Sequence, residues 1–307
     1  MLKKIVFPLI LAAVSLSGVS HASAETLQPR VLNGDLTTKW NGYTVSLHSK
    51  DSYISAQGKN EENPLYKSHY CTGTLIAPLT IITSAWCVVN TENHKFLEKL
   101  NPNNIFVGAS NDLNDTTPTY AIEDIWVHPN YNPKFYRNDV ALIKLTSEVE
   151  GSSPVSIGSV SGPRGGAIYG WGATEPNWER QGYGFSENMQ IGEVEILSEK
   201  VCKGQENAFI KNERLYPNAT KEVRKNIDKF HCATGVTDKE VDINKKSNFI
   251  DACYTDEGTG LIDKESNTVV GVAIFDLGCG GASPRLYTKI TPYISLFPSH
   301  MLTPTHH

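Results

Sequence analysis

Beyond its first two dozen residues the sequence has no apolar run approaching the ~20 residues that a membrane-spanning helix requires, so no internal anchor is expected. It has no Cys-x-x-Cys, the commonest half of a structural zinc site; no metal and no cofactor is expected. Internal repeats and low-complexity tracts are missing too, which excludes solenoids and arrays. Basic charge is scarce. The formal net charge of −5 argues against nucleic acid as the partner.

What is present begins with a leader. Lys3 and Lys4 form a basic start, Ile5 to Val19 is mostly apolar, and Ala22-Ser23-Ala24 has the small residues of a cleavage site. The apolar run is too short to span a bilayer, so residues 1–24 read as a signal peptide and the product as secreted or periplasmic. What remains is long enough for one large domain or two small ones. Six cysteines in an exported chain are most simply three disulfides, because the compartment is oxidising. Six cysteines allow fifteen pairings, so composition leaves the connectivity open.

Short runs of β-branched and aromatic residues recur along the chain: "YTVSL" (43–47), "NIFVGA" (104–109), "DVALIKL" (139–145), "GEVEIL" (192–197) and "TVVGVAIF" (268–275). Gly, Pro and Asn fill the gaps, as in "HPNYNP" (128–133). This is the pattern of an all-β sandwich or barrel. Two polar segments interrupt it. Residues 50–68 read as an exposed loop. Between Cys202 and Cys232, Val223, Ile227 and Phe230 recur at helical spacing behind Thr220, which predicts a short amphipathic helix. Residues 200–229 carry eight basic and four acidic side chains, either a docking face for an acidic partner or a solvated surface.

The order of several segments then carries a resemblance. Arg30-Val-Leu-Asn-Gly34 precedes "HYCTGTLI" (69–76), "TSAWC" (83–87), "NDVALIKL" (138–145), "YGWGAT" (169–174), "VEILSEKVC" (194–202), "DACYTDEGTGLI" (251–262) and "GCGGASPRLYTKI" (278–290). Together they resemble the landmarks of trypsin/chymotrypsin-like serine proteases across nearly all of the chain after the leader. The resemblance implies two packed six-stranded antiparallel β-barrels with a cleft between them. It implies the disulfides Cys71–Cys87, Cys202–Cys232 and Cys253–Cys279. It makes residues 25–30 a short propeptide-like segment and 31–307 the domain, with cleavage after Arg30 freeing Val31 to pair with Asp256; Asn33 departs from a family glycine there. Pro298 and Pro304 predict that the family's terminal helix is short or missing.

The chemistry of this family needs a serine nucleophile, a histidine base and a buried aspartate that orients the histidine. The three positions that match are Glu257, Trp86 and Asp139, so only the aspartate is kept. An indole N–H is a donor only and accepts no proton. Glu257 places a carboxylate where an oxyanion would develop, and Thr255 replaces the glycine that lends an oxyanion-hole amide. His69 matches a structural family position, His128 sits in a surface turn and His94 in a polar loop, so none restores the base. The buried Asp139 needs donors, which either the Trp86 indole or backbone amides would supply. In the specificity pocket Asp251 matches the acidic floor that selects Lys or Arg, while Asp276 and Arg285 replace wall glycines, and Arg285 is expected to reach Asp251. The resulting expectation is an exported, catalytically inactive homologue that binds an unknown protein partner, through the 50–68 or 204–230 insertions or the altered cleft. The alternatives are an enzyme of another class, with Asp139 and Glu257 as a carboxylate pair, and a structural or secretion-related exported protein.

Overall fold

In the stretch Gln190–Ile196, Gln190, Gly192, Val194 and Ile196 are buried while Glu193 and Glu195 face water, the period of two that a pleated strand imposes. Among the described residues twelve strands build two barrels. The structure is a computed structural model, and it describes residues 31, 34–50, 65, 68–92, 95–134, 136–173, 186–204, 225–236, 249–274 and 284–302.

The first six strands are β1 (Thr44–Ser49), β2 (His69–Ala77), β3 (Thr80–Thr83), β4 (Ile105–Gly108), β5 (Thr119–Val127) and β6 (Ala141–Leu145). They pair antiparallel in the order β1-β2-β3-β6-β5-β4, and β4 returns to β1 to close a barrel. The next six are β7 (Arg164–Gly170), β8 (Gln190–Ile196), β9 (Phe230–Val236), β10 (Gly260–Asp263), β11 (Thr268–Ala273) and β12 (Arg285–Lys289). They pair in the order β7-β8-β9-β12-β11-β10, and β10 returns to β7. The two barrels therefore share one strand order, a repeat that the sequence does not display. Closure leaves no barrel strand with an unpaired edge.

Each barrel has its own core. Val45, Leu47, Leu75, Ile81, Ile82, Leu142 and Ile143 fill the first. Ile168, Val194, Ile196, Leu261, Val270 and Tyr287 fill the second, and Val31 joins them. Truncating one of the aliphatic side chains to Ala costs about 2–5 kcal/mol, the lost transfer energy plus the cavity. The described residues end in a 3-10 stretch, Thr291–Leu296, and a turn of helix, Ser299–Leu302; Pro304 lies outside them. Tyr293, Phe297 and Met301 pack into the first core. The ammonium of the buried Lys144 donates to the His300 carbonyl at 3.0 Å, so the terminal turn is held by charge as well as by apolar contact.

Cys71–Cys87 and Cys202–Cys232 are bonded as expected. Cys253 is also in a disulfide, and its expected partner Cys279 lies outside the described residues. The helix expected up to Phe230 is corrected at its described end. Ile227–Lys229 is a 3-10 turn and Phe230 opens β9. Both apolar side chains are buried as the helical pattern required, but Phe230 gains a ladder partner in Thr288 instead of another helical turn. His128 is buried rather than at the surface, with its ring 4.9 Å from that of Tyr293 and Nδ1 accepting from the Asn130 amide at 3.0 Å.

Candidate functional site

The loops that leave β3, enter β6 and enter β10 meet at the seam between the barrels, and they carry Trp86, Asp139 and Glu257. Ser84 follows β3 and caps a 3-10 turn, Ala85–Val88, by accepting the Trp86 amide. That turn places the Trp86 main chain beside Asp139. One carboxylate oxygen, Oδ1, accepts from the Trp86 backbone N–H at 3.0 Å and from the Ser84 hydroxyl at 2.8 Å. Asp139 is fully buried, as a carboxylate held by such donors can be. The hydroxyl is a donor that the sequence reading missed, although its signal stood in "TSAWC", where the family has alanine.

The loop before Asp139 is pinned and strained. Asn138 Nδ2 donates to the Asn130 carbonyl at 2.8 Å, and the Tyr293 hydroxyl donates to Asn138 Oδ1 at 3.0 Å. Asn138 has φ +54° and Tyr136 φ +51°. Asparagine tolerates this region, whereas a bulky aromatic does so only where its surroundings repay the strain. The surroundings of Tyr136 are Cys202, Ile227, Phe230, Cys232, Ile274 and Leu286, all from the second barrel, and its side chain is buried among them. A first-barrel residue thus crosses the seam and fills apolar space on the far side. Tyr131 is drawn into the same region; burial raises its pKa first, and the charge of Asp139 raises it further.

Glu257 comes from the second barrel. Its main-chain carbonyl accepts from the Thr72 amide of β2 at 2.9 Å and lies 3.4 Å from the Cys87 sulfur, which sets the nucleophile position next to the base position. Its side chain turns back on its own loop, and Oε2 accepts the Thr255 amide at 2.8 Å. Thr255 has φ +75°, so the backbone geometry of a glycine has been kept with a β-branched residue in it. Gly258, at φ +85°, cannot be replaced so easily, because a Cβ there would strike the Thr83 hydroxyl and the Thr72 carbonyl.

Asp256, between them, is buried, and burial pushes its carboxyl up to about 7 against the pull of the Cys253 and Gly172 amides and Arg285. Its two oxygens accept from Gly172 at 2.8 Å and Cys253 at 3.1 Å. Val31 is buried in the second core, while Arg30 lies outside the described residues. Asp251 and Arg285 are both buried. The guanidinium Nη2 donates to the Ile274 carbonyl at 2.9 Å. Asp251, Arg285 and Asp256 all act on the Tyr287 hydroxyl, whose pKa is raised by burial first, so these groups form one interior polar cluster. Asp276 lies outside the described residues, as do His94 and most of both insertions.

Two closed barrels of like topology, with the loops of both converging on one seam, define the chymotrypsin-like architecture. The family model of trypsin matches residues 39–296, and the chain belongs to the trypsin family. Similar proteins include trypsin theta of Drosophila erecta, 25% identical over 280 residues, covering 89% of this chain and 87% of that protein. CLIP domain-containing serine protease C9 of Anopheles gambiae is 24% identical over 247 residues, 76% of this chain and 60% of that one. Transmembrane protease serine 11G of Mus musculus is 28% identical over 236 residues, 73% of this chain and 48% of that one. The chain thus spans less than two thirds of the length of the mosquito and mouse proteins.

Proposed function

We propose that this trypsin-family protein is exported, has lost peptidase activity and works by binding another protein. The observation that carries the reading is the contact of the Glu257 carboxylate with the Thr255 amide at 2.8 Å. In a family enzyme that amide would receive the oxyanion of the reacting carbonyl. Here it already holds a carboxyl oxygen, and the residue supplying that oxygen stands at the nucleophile's position. Trp86 at the base position adds a donor that accepts no proton. A carboxylate in place of serine would also have to form an anhydride with the acyl group, with the carboxylate then a good leaving group. Full burial of Asp139 counts against the carboxylate-pair alternative, since a general acid must reach substrate.

Export is supported by the leader and by the disulfides, which persist in oxidising compartments. Among the described residues no helix is long and apolar enough to cross a membrane. We assign the partner surface to the 50–68 and 204–230 insertions, the polar segments that interrupt the strand pattern of the family. Two measurements test the reading. Purified protein should turn over no chromogenic peptide or ester; an enzyme stripped of its triad keeps at most ~10³–10⁴ over water. Hydrolysis that survives purification and is indifferent to Trp86→Ala overturns it. Affinity capture with the chain, repeated after deleting each insertion, should lose its partner with one deletion.

A further inference from the structure

At the root of segment 204–230 lies a pocket of about 50 Å³ that is separate from the triad positions. Cys202, Phe230 and Cys232 line it, so it sits where the disulfide closes that segment. Its nitrogen-bearing side chains are His231 and Lys289. β9 pairs with β12 so that His231 stands opposite Tyr287, which puts His231 and Lys289 on one face of the sheet. The His231 ring is more than nine-tenths buried, and among the described residues no hydrogen bond engages it. Burial, and then Lys289, lower its pKa to about 4, so at neutral pH the ring is uncharged and offers one N–H.

Lys289 Nζ donates to the Asp228 carbonyl at 2.7 Å and stands 3.9 Å from the Glu199 carboxylate. Glu199 is held more closely by Lys203, at 2.6 Å, and the Asp228 carboxylate by Lys229, at 3.1 Å. Three lysines thus meet two carboxylates, and the ammonium with the loosest ion pair is the one that lines the pocket. We infer that this pocket is an anchor for one carboxylate, supplied by an aspartate or glutamate side chain of the protein partner. It has room for a few waters or one carboxylate head, and a larger anion does not fit. Lys289 supplies the charge and His231 a neutral N–H. Leu197 and Phe230 supply an apolar wall, beside which such bonds are stronger than in open water. A buried donor without an acceptor is costly, and an entering carboxylate relieves that cost. The choice of a partner's side chain rests on the binding role proposed above, whereas the affinity of the pocket for a carboxylate does not.

The test follows the His231 ring by NMR in the full chain, at neutral pH and constant ionic strength. The probe is glutamate blocked as its N-acetyl amide, whose one charge is the side-chain carboxylate. Blocked glutamine, of the same shape without charge, is the control. The His231 signals should shift saturably with blocked glutamate and stay unmoved with blocked glutamine. Lys289→Met keeps the stem and removes the ammonium, and it should weaken binding about tenfold or more. Glu199→Gln removes the competing carboxylate and should strengthen binding about twofold or more, an effect that a merely structural role for Lys289 would not produce. Glu199 is exposed, so this variant decides the matter if Lys289→Met does not fold. No shift with blocked glutamate, or an equal shift with blocked glutamine, overturns the site. A shift with acetate but none with blocked glutamate overturns the assignment to a partner's side chain. None of these readings depends on peptide hydrolysis, so failure here and failure of the proposed function are told apart.

Discussion

Lowering the pH from 7 to 5 should weaken this fold by about 2 kcal/mol or more, because buried histidines outweigh a buried aspartate. Burial drives the His69 pKa down to about 3 and the His231 pKa down to about 4, with Lys289 adding to the second. His48, fully buried, is also held well below the ordinary histidine value, by burial first and by His69 next. His69 and His231 stay neutral in the folded protein at pH 5. In the unfolded chain they titrate near 6.5, so the unfolded state takes up protons that the folded state refuses, and stability falls as pH falls. Between pH 7 and 5 His69 and His231 cost about 2 kcal/mol each, and His48 acts in the same direction.

Asp256 acts in the opposite direction. Its folded pKa of about 7 lies above its unfolded value near 3.8, so over the same window the folded state is the one that gains a proton. That returns about 2 kcal/mol, leaving a net loss of about 2 before the share of His48. Urea unfolding at fixed ionic strength reads the difference directly, provided the slope is unchanged between the two pH values. His69→Phe should remove about 2 kcal/mol of the pH dependence, because the ring that refuses the proton is gone while the space stays filled. A midpoint that does not move between pH 7 and pH 5 refutes the burial of these rings as neutral groups, and with it the packing around β1 and β2.

Ser84→Ala should cost about 1.5–3 kcal/mol in chemical denaturation, since Asp139 loses a donor inside the protein; no change would remove Ser84 from the support of that carboxylate. Gly258→Ala should cost about 2–4 kcal/mol, from the positive φ and from the clash with β2 and β3, and a neutral effect would contradict the close approach at the seam. A chain starting at Val31 should be more stable at pH 8 than one starting at Glu25, because a free ammonium would relieve the ionised Asp256; equal stability would show that the zymogen-like pairing is not used. A benzamidine-type ligand should give no heat in calorimetry with the natural protein and weak binding after Arg285→Gly with Asp276→Gly, while appreciable affinity of the natural protein would show an open pocket.

The double barrel was legible because strand period, turn residues and ordered landmarks all survive substitution at the site. β8 alternates its burial as its sequence alternates, and the first two disulfides pair as the resemblance implied. The identity of the two strand orders was hidden, since a barrel constrains which face is apolar and not which apolar residue stands there. At the site, residue replacements were legible and their new partners were not. Trp86, Thr255 and Glu257 stood out in the text of the sequence, but nothing there says that a glutamate will fold back on the amide two residues before it. Ser84 and Tyr136 escaped for a related reason. Ser84 meets Asp139 across 55 residues of sequence, and Tyr136 finds its apolar pocket in the other barrel, so neither contact is written in the neighbouring residues.

These replacements share one physical direction. A cleft that binds substrate must hold unsatisfied donors, an open apolar wall and a charge at the end of a pocket, all costly until a ligand arrives. In this protein the Thr255 donor bonds Glu257, and the apolar space beyond the seam takes Tyr136. The Arg285 guanidinium bonds the Ile274 carbonyl within the same polar cluster as Asp251. Under the proposed reading each of these contacts takes up internally a group that a family enzyme would offer its ligand, so stability and loss of the cleft would come from the same residues. The converse follows under the proposed reading: reversing the triad positions alone, Trp86→His with Glu257→Ser, should restore a nucleophile and base beneath a seam that Tyr136 still crosses. Cleavage should then be detectable first with small esters, which need little of the cleft, and reach extended peptides only when Tyr136 is also truncated. Equal rates on both substrates without that truncation would show that Tyr136 does not obstruct the cleft.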